Sequence, residues 1–375
     1  MSDVSYEILD LFDQYGSSPE GISAALAAGG RPELLFALSD LRQNLLEWYP
    51  FTGEEQVLEL YSDYGAMTGL LAERAAHVTV LQGSDENLEV NRRRNGGHDN
   101  ITYGLKDGSA RFDLVVICGI PRGTTAEEAV ERGCSFLAEG GTLILACENS
   151  LGLRYLAGGP HGEDQADFTR SRVLGALAGR GFVRTEVYYP MPDWQLPVSV
   201  YSDRYLPGKG ELAEGPAYDA PRYSCINQEA VFDLLREEGD FGRFANAFLV
   251  VASKTESARQ TVFAKYNRTR REEFAIRTTI VEEDGRRFVE KTALNPAGSW
   301  HILSFEKKYA QLCELNPNIH ILKPEFGEDG RSVRFEFLTG VTLAEQLGRQ
   351  ICGGLAPVEA IGRAMDCLLY TSRCV

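Results

Sequence analysis

Between Val57 and Ala72 the chain reads VLELYSDYGAMTGLLA: a short apolar run, a turn holding Gly65, and a stretch with Met67, Leu70 and Leu71 on one side. That is a buried strand passing through a tight turn into a helix. A carboxylate at the strand end (Glu59) and a glycine where the helix begins suit close approach of backbone to a ligand, because a missing Cβ leaves room and permits positive φ. The same two residues also serve as plain strand-end and helix-start residues of any α/β domain. Further along, Glu148 and Asn149 directly follow the strand pattern at 142–147. Open α/β sheets bind ligands beyond the carboxyl ends of their strands, which makes these two the first candidates for substrate contact. The competing reading is a helix N-cap at Asn149 or Ser150.

These residues need elements to hold them. The first fifty residues are helical in pattern, with Leu34, Leu35, Leu38, Leu41, Leu45 and Leu46 spaced as one apolar face of a helix that ends before Pro50. From residue 57 the pattern predicts strands at 57–61, 77–82, 100–105, 112–118, 140–147, 183–190 and 246–254. Helices at 66–75, 85–94, 125–138, 171–181 and 227–239 are interleaved with them, and 191–212 reads mostly as loop. Strands and helices alternating over short links predict a parallel, doubly wound sheet covered on both faces. A second unit is expected from about residue 260. It has strands TVFAKYN, EFAIRTTIVE and RRFVEKTAL, a turn at Asp284-Gly285, a helix at 304–315, and two more strands joined across Asp329-Gly330.

Composition narrows the function classes. The net charge is −16 with no long basic run, so nucleic acid and anionic membrane are unexpected partners. Arg268 to Arg271 is diluted by Glu272 and Glu273 and reads as a solvated loop. No apolar run is long enough for a membrane span, and the acidic N-terminus lacks the features of a signal peptide, which points to the cytoplasm. The eight cysteines form no CxxC pair and the five histidines are scattered, so no metal site is expected.

The glycine turn resembles the cofactor loop of class I S-adenosylmethionine (SAM)-dependent methyltransferases, where an acidic residue precedes glycines spaced as E-x-G-x-G-x-G. Here Glu59 and Gly65 match, while Tyr61 and Asp63 occupy the other two glycine positions. LRQNLLEWYPF (41–51), LAEGGTLILACENSLGLRYLAG (137–158) and YYPMPDWQLPVSVYSDRYLPGKGEL (188–212) extend the resemblance over roughly residues 36–254, to methyltransferases of bacterial surface-polysaccharide gene clusters. The resemblance implies a Rossmann-like sheet, SAM as cofactor, and a small-molecule or glycan acceptor. It assigns the ribose contact to Gln82, in place of the usual carboxylate, with Asp85 a poorly placed substitute. It assigns the adenine end to Asp107, which otherwise is a turn aspartate beside Gly108. Cys118 to Ile120 would face the methyl donor. Methylation of an oxygen needs a base, and either Glu148 or His161 is placed to serve; His161 reads equally as a loop histidine. The segment Gly158 to Asp167 is shorter than the family's substrate-side lid. Tyr61, Asp63 and Gln82 also admit a second reading, an inactive methyltransferase-like scaffold or binding module in surface-glycan assembly.

Residues 261–347 resemble the smaller α+β lobe of the protein-kinase and aminoglycoside-phosphotransferase fold. Lys291 stands where that family holds ATP phosphates, Glu306 is its partner on the next helix, and Glu336 to Gly340 reads as the hinge. The loop Asn267 to Glu273 has no glycine, and no catalytic or metal-binding loop follows residue 347, so this lobe alone is no kinase. Residues 348–375 read as an incomplete helical tail whose last nine residues break the pattern and resemble translated adapter sequence. A truncated lobe leaves an apolar surface at Leu355 to Leu369 as a place for a protein partner. The expected organisation is a helical segment 1–50, a methyltransferase-like domain 51–256, the small lobe 260–347 and the tail.

Overall fold

The computed structural model describes residues 4–29, 31–105, 108–121, 123–159, 168–212, 226–267, 271–315, 320–341 and 343–370. Two compact units divide at Lys265 and Tyr266.

The first unit opens with three helices, α1 (Ser5–Tyr15), α2 (Pro19–Gly29) and α3 (Pro32–Leu38), and a 3-10 turn over Asp40–Leu45. The leucine stripe does not run through one helix. Ser39 takes an extended conformation and its hydroxyl accepts from the Leu41 amide, starting the new turn. Serine competes with helix backbone in this way, and an apolar stripe alone does not reveal it. Leu34, Leu38, Leu45 and Leu46 are all buried nonetheless.

The sheet elements follow as β1 (Gln56–Leu60), α4 (Ala66–Arg74), β2 (His77–Leu81), α5 (Asp85–Asn95), β3 (Ile101–Tyr103), β4 (Phe112–Cys118), α6 (Ala126–Ser135) and β5 (Leu137–Glu148). After them come α7 (Leu153–Leu156), α8 (Arg170–Leu177), β6 (Arg184–Met191), β7 (Ser199–Ser202), α9 (Gln228–Glu237), α10 (Phe241–Phe244), β8 (Ala247–Ser253) and β9 (Arg259–Asn267). In space the order is β3-β2-β1-β4-β5-β8-β6-β7-β9. β3, β2, β1, β4 and β5 are parallel. β8 lies antiparallel between β5 and β6, which makes β6 parallel to β5. β1, β4, β5 and β8 are buried along nearly their whole length, as a sheet covered on both faces requires. The order reverses between β1 and β4, and the crevice beyond their carboxyl ends is the place such a sheet offers a ligand.

The expected separate segment 1–50 is instead part of this unit. Val4, Ile8, Phe12, Ile22, Leu34 and Leu38 share a core with Tyr64 and Val90. Arg94 of α5 donates to the carbonyls of Ala37 and Leu38 at 3.0 and 2.9 Å, capping the end of α3. The buried Asn44 amide donates to the Pro197 carbonyl at 2.7 Å, and Trp48 packs on Tyr188 with ring centroids 4.4 Å apart. The stretch 191–212, read as loop, contains β7; Pro197 and Pro207 flank it and mask its short alternation. β9, expected to open the second unit, pairs through Ala264 and Lys265 with β7 of the first.

The second unit holds β10 (Ile276–Glu283), β11 (Arg286–Ala293), α11 (Ser299–Leu315), β12 (Glu325–Phe326), β13 (Ser332–Glu336), α12 (Leu343–Cys352) and α13 (Pro357–Tyr370). β10 and β11 form a hairpin with Glu283 opposite Arg286. Its two loop residues, Asp284 and Gly285, have φ of 50° and 75°, the doubly left-handed turn that matches strand twist. β11 pairs with β13 and β13 with β12, all antiparallel. Ile276, Ala293, Ile302 and Val333 are its buried apolar cluster, with Phe305, Phe326 and Phe335 against it. Among the described residues no helix is long and apolar enough to cross a membrane.

Candidate functional site

The loop from β1 to α4 carries left-handed backbone at three alternate positions: φ is 58° at Tyr61, 53° at Asp63 and 74° at Gly65. A non-glycine residue there costs about 1–2 kcal/mol, so two such residues in one turn must be held by their surroundings. The holding contacts come from several elements. Asn91 of α5 donates to Ser62 Oγ at 3.1 Å and Thr68 Oγ1 at 2.8 Å. Asn95, one turn on, donates to the Gly65 carbonyl at 3.0 Å. A Cβ on Gly65 would lie 2.6 Å from Asn91 Cγ and 2.7 Å from Asn95 Nδ2, so this glycine is required by space as well as by φ. Gln82, just past β2, donates through Nε2 to the Asp63 carbonyl at 3.4 Å. Arg42, only 4% exposed, donates to Asp63 Oδ2 at 3.2 Å and to the Phe36 carbonyl at 3.2 Å, with its guanidinium 5.4 Å from the Trp194 ring centre. The Arg132 guanidinium lies 5.9 Å from the Tyr61 ring centre.

Glu59 points away from the crevice. It is 2% exposed and accepts from Thr68 Oγ1 at 2.6 Å. Burial pushes its carboxyl up to about 8, partly offset by the Thr68 hydrogen bond and Arg42. At neutral pH it is a largely uncharged strut between β1 and α4.

Above the switch point lies a cavity of about 460 Å³, within the range of small-molecule and cofactor sites. Tyr61, Asp63 and Gln82 line one side, and Ser84 and Asn87 the start of α5. Cys118 and Gly119 line it at the end of β4, and Glu148, Tyr155, Phe168 and Trp194 line it as well. Gly119 has φ of 97°, and a Cβ there would meet the Trp194 ring at 2.7 Å, so the glycine seats the indole. The Tyr155 hydroxyl donates to Glu148 Oε2. Burial first, then Glu148, hold that phenol far above its usual range, so it remains a donor. Asp193 accepts from the amides of Gln195 and Leu196, both at 2.9 Å, and lies 3.7 Å from Arg154, which fixes the loop carrying Trp194. Burial pushes the Cys118 thiol up to about 12, so this sulfur is an apolar wall group and no nucleophile.

Of the residues singled out in sequence, the structure brings Tyr61, Asp63, Gln82, Cys118 and Glu148 onto one cavity. Glu59 and Gly65 shape the loop from behind. Asn149 does not reach the cavity: it is fully buried, and its Nδ2 donates to the carbonyls of Arg243 and Ala245 at 2.9 and 2.7 Å. Its Oδ1 accepts from the Leu151 amide at 3.2 Å, a turn-forming bond. The sequence showed that Asn149 follows a strand but not that α10 ends beside it. Asp107 and His161 lie outside the described residues. In the second unit Lys291 donates to Thr278 Oγ1 at 3.2 Å across β10 and β11, while Glu306 is on the exposed side of α11 and, among the described residues, in no ion pair. The two are not partnered. Sequence reasoning missed Arg42, Asn91, Tyr155 and Trp194 as individual residues. Arg42, Tyr155 and Trp194 fall within the three segments that carried the family resemblance, which is the signal that marked them; Asn91 left none.

The chain matches no family model and no curated protein. Solved structures that it is similar to include a SAM-dependent methyltransferase from Archaeoglobus fulgidus (13% identity, 60% of this chain and 95% of that one, TM-score 0.36). Another is the N-methyltransferase NodS from Bradyrhizobium japonicum in complex with S-adenosylhomocysteine (15%, 68% and 100%, TM-score 0.34). A third is phosphoethanolamine N-methyltransferase 1 from Haemonchus contortus (19%, TM-score 0.29), where the match spans 44% of this chain and 35% of that one. At TM-scores this low the likeness decides nothing about this chain.

Proposed function

We propose that the first unit is a SAM-dependent methyltransferase whose acceptor is a small molecule, a hydroxyl of a sugar or glycan precursor. The observation that carries this reading is the backbone of the cofactor loop. Tyr61 and Asp63 stand where the resembled family has glycines, and both adopt the left-handed conformation that glycine favours. The loop has kept the path of a cofactor cradle after losing the residues that make that path easy. The residues present suit the cofactor: the two side chains line the cavity without filling it, and about 460 Å³ remains.

In this reading the 61–65 backbone faces the methionine end of the cofactor, Gln82 bonds a ribose hydroxyl, and Ile120 and Pro121 wall the adenosine. When bound, SAM supplies an electrophilic methyl group on a sulfonium. This chain contributes orientation and a base: Glu148, with one oxygen held by Tyr155, is the described wall group able to take a hydroxyl proton. Asp107 keeps the adenine contact that the resemblance gives it, and His161 stays the alternative base.

Hydrogen exchange of the full chain with and without S-adenosylhomocysteine tests this proposal. Slowed exchange at the amides of 61–66 and 118–121 is expected. Protection elsewhere only, or none, favours the inactive scaffold, the reading supported by the two crowded glycine positions.

For the second unit we propose the small-lobe reading, supported by the β10–β11 hairpin, α11 and the β12–β13 pair. Glu306 is exposed and, among the described residues, forms no ion pair with Lys291, and Trp300, Leu303 and Leu315 of α11 are at least half exposed. That surface suits a protein partner better than a nucleotide.

A further inference from the structure

The carboxylates in and behind the cavity lining are unequally matched by cations. Asp63 is matched by Arg42, and Asp193 behind the wall is matched by Arg154 and two backbone amides. Glu148 has no such match: among the described residues it forms no ion pair, and its one hydrogen-bonding partner is the neutral Tyr155 phenol on Oε2. Among the described residues no hydrogen bond reaches Oε1. Tyr155, Phe168, Trp194 and Tyr61 line the same cavity, and three of these rings already have a guanidinium beside them: Arg154 at 5.5 Å from Tyr155, Arg42 at 5.4 Å from Trp194 and Arg132 at 5.9 Å from Tyr61. A ligand cation against Glu148 gains a charge-assisted hydrogen bond, and the aromatic lining gives an apolar ring face a surface to pack on.

We infer that the acceptor bears an amine, and that it is an amino sugar whose ammonium sits on Glu148 while its ring packs against Trp194 and Phe168. The inference deepens the methyltransferase proposal and rests on it for the sugar. The ammonium is the recognition handle and the methylated atom is a separate hydroxyl; with Oε2 held by Tyr155 and Oε1 on the ammonium, Glu148 is then the anchor and not the base. A phosphate placed on this wall would face an uncompensated carboxylate, and an N-acetyl group would forfeit the charge.

The test is calorimetric titration of glucosamine, glucose, N-acetylglucosamine and glucose 6-phosphate into the full chain, alone and saturated with S-adenosylhomocysteine. Glucosamine is expected to bind at least ~10-fold tighter than the other three, the scale of one hydrogen bond to a charged group. Glu148→Gln should erase that preference while leaving the thermal unfolding midpoint and the heat of S-adenosylhomocysteine binding in place. Glucosamine binding no better than glucose, with the homocysteine compound still bound, overturns the inference and leaves the methyltransferase reading standing. Absence of homocysteine binding overturns the methyltransferase reading instead; the titrations into the protein alone then still read the amine preference and its dependence on Glu148. A preference that survives in Glu148→Gln also overturns the inference.

Discussion

At the scale of single residues, the cofactor loop sets two kinds of cost against each other. Tyr61 bears left-handed strain and, among the described residues, its side chain makes no hydrogen bond, so Tyr61→Gly should raise stability by about 1 kcal/mol. Asp63 bears the same strain but neutralises Arg42, which is almost fully buried. Asp63→Gly should therefore lower stability, by about 2 kcal/mol after allowing for the partial exposure of the carboxylate. Urea denaturation of the two variants checks the opposite signs. Glu59 gives a pH signature. Its folded-state pKa is raised from 4.5 to about 8, so between those values the folded state holds a proton that the unfolded state has lost. Stability from this group is fully present below about pH 4.5 and is lost as pH rises toward 8, at about 1.4 kcal/mol per unit. Glu59→Gln should flatten that part of the profile, measured as urea midpoints across the same range.

At the scale of elements, α5 does two jobs with residues four apart. Asn91 satisfies Ser62 and Thr68 and sits against Gly65, whereas Asn87 lines the cavity and its buried side-chain oxygen has no hydrogen-bond partner among the described residues. Asn91→Ala should cost about 1–3 kcal/mol by orphaning buried hydroxyls, and Asn87→Ala well under half of that, read as thermal midpoints. The same contrast explains what was legible in sequence. The β-α-β alternation from residue 57, the Asp284-Gly285 turn and the apolar stripe 34–46 follow from local periodicity and turn chemistry. The break at Ser39 follows from side-chain competition with backbone, β7 from pairing with both β6 and the distant β9, and the burial of Asn149 from partners more than ninety residues away, none of which periodicity encodes. For the site, strand-end residues such as Tyr61, Cys118 and Glu148 were readable because a sheet edge is predictable. Arg42 and Trp194 were not, because their roles exist only once the N-terminal segment and the 192–198 loop meet at the cavity.

At the scale of the molecule, the two units differ in how much apolar core sustains them. The second buries a cluster of four apolar residues with three more partly covered, and it carries Trp300 at 53% exposure; Trp48 and Trp194 lie buried in the first. Its unfolding should precede that of the first unit. In Trp300→Phe, far-UV circular dichroism should report two heat transitions and tryptophan fluorescence only the later one; coincident transitions by both probes would show one cooperative body. Whether the first unit holds a cofactor despite Tyr61 and Asp63 is read by calorimetric titration of SAM and S-adenosylhomocysteine into the folded chain. Binding in the micromolar range is the predicted result, strengthened by Tyr61→Gly. No heat up to millimolar ligand, from a sample shown to be folded, would contradict it and leave a methyltransferase-like scaffold.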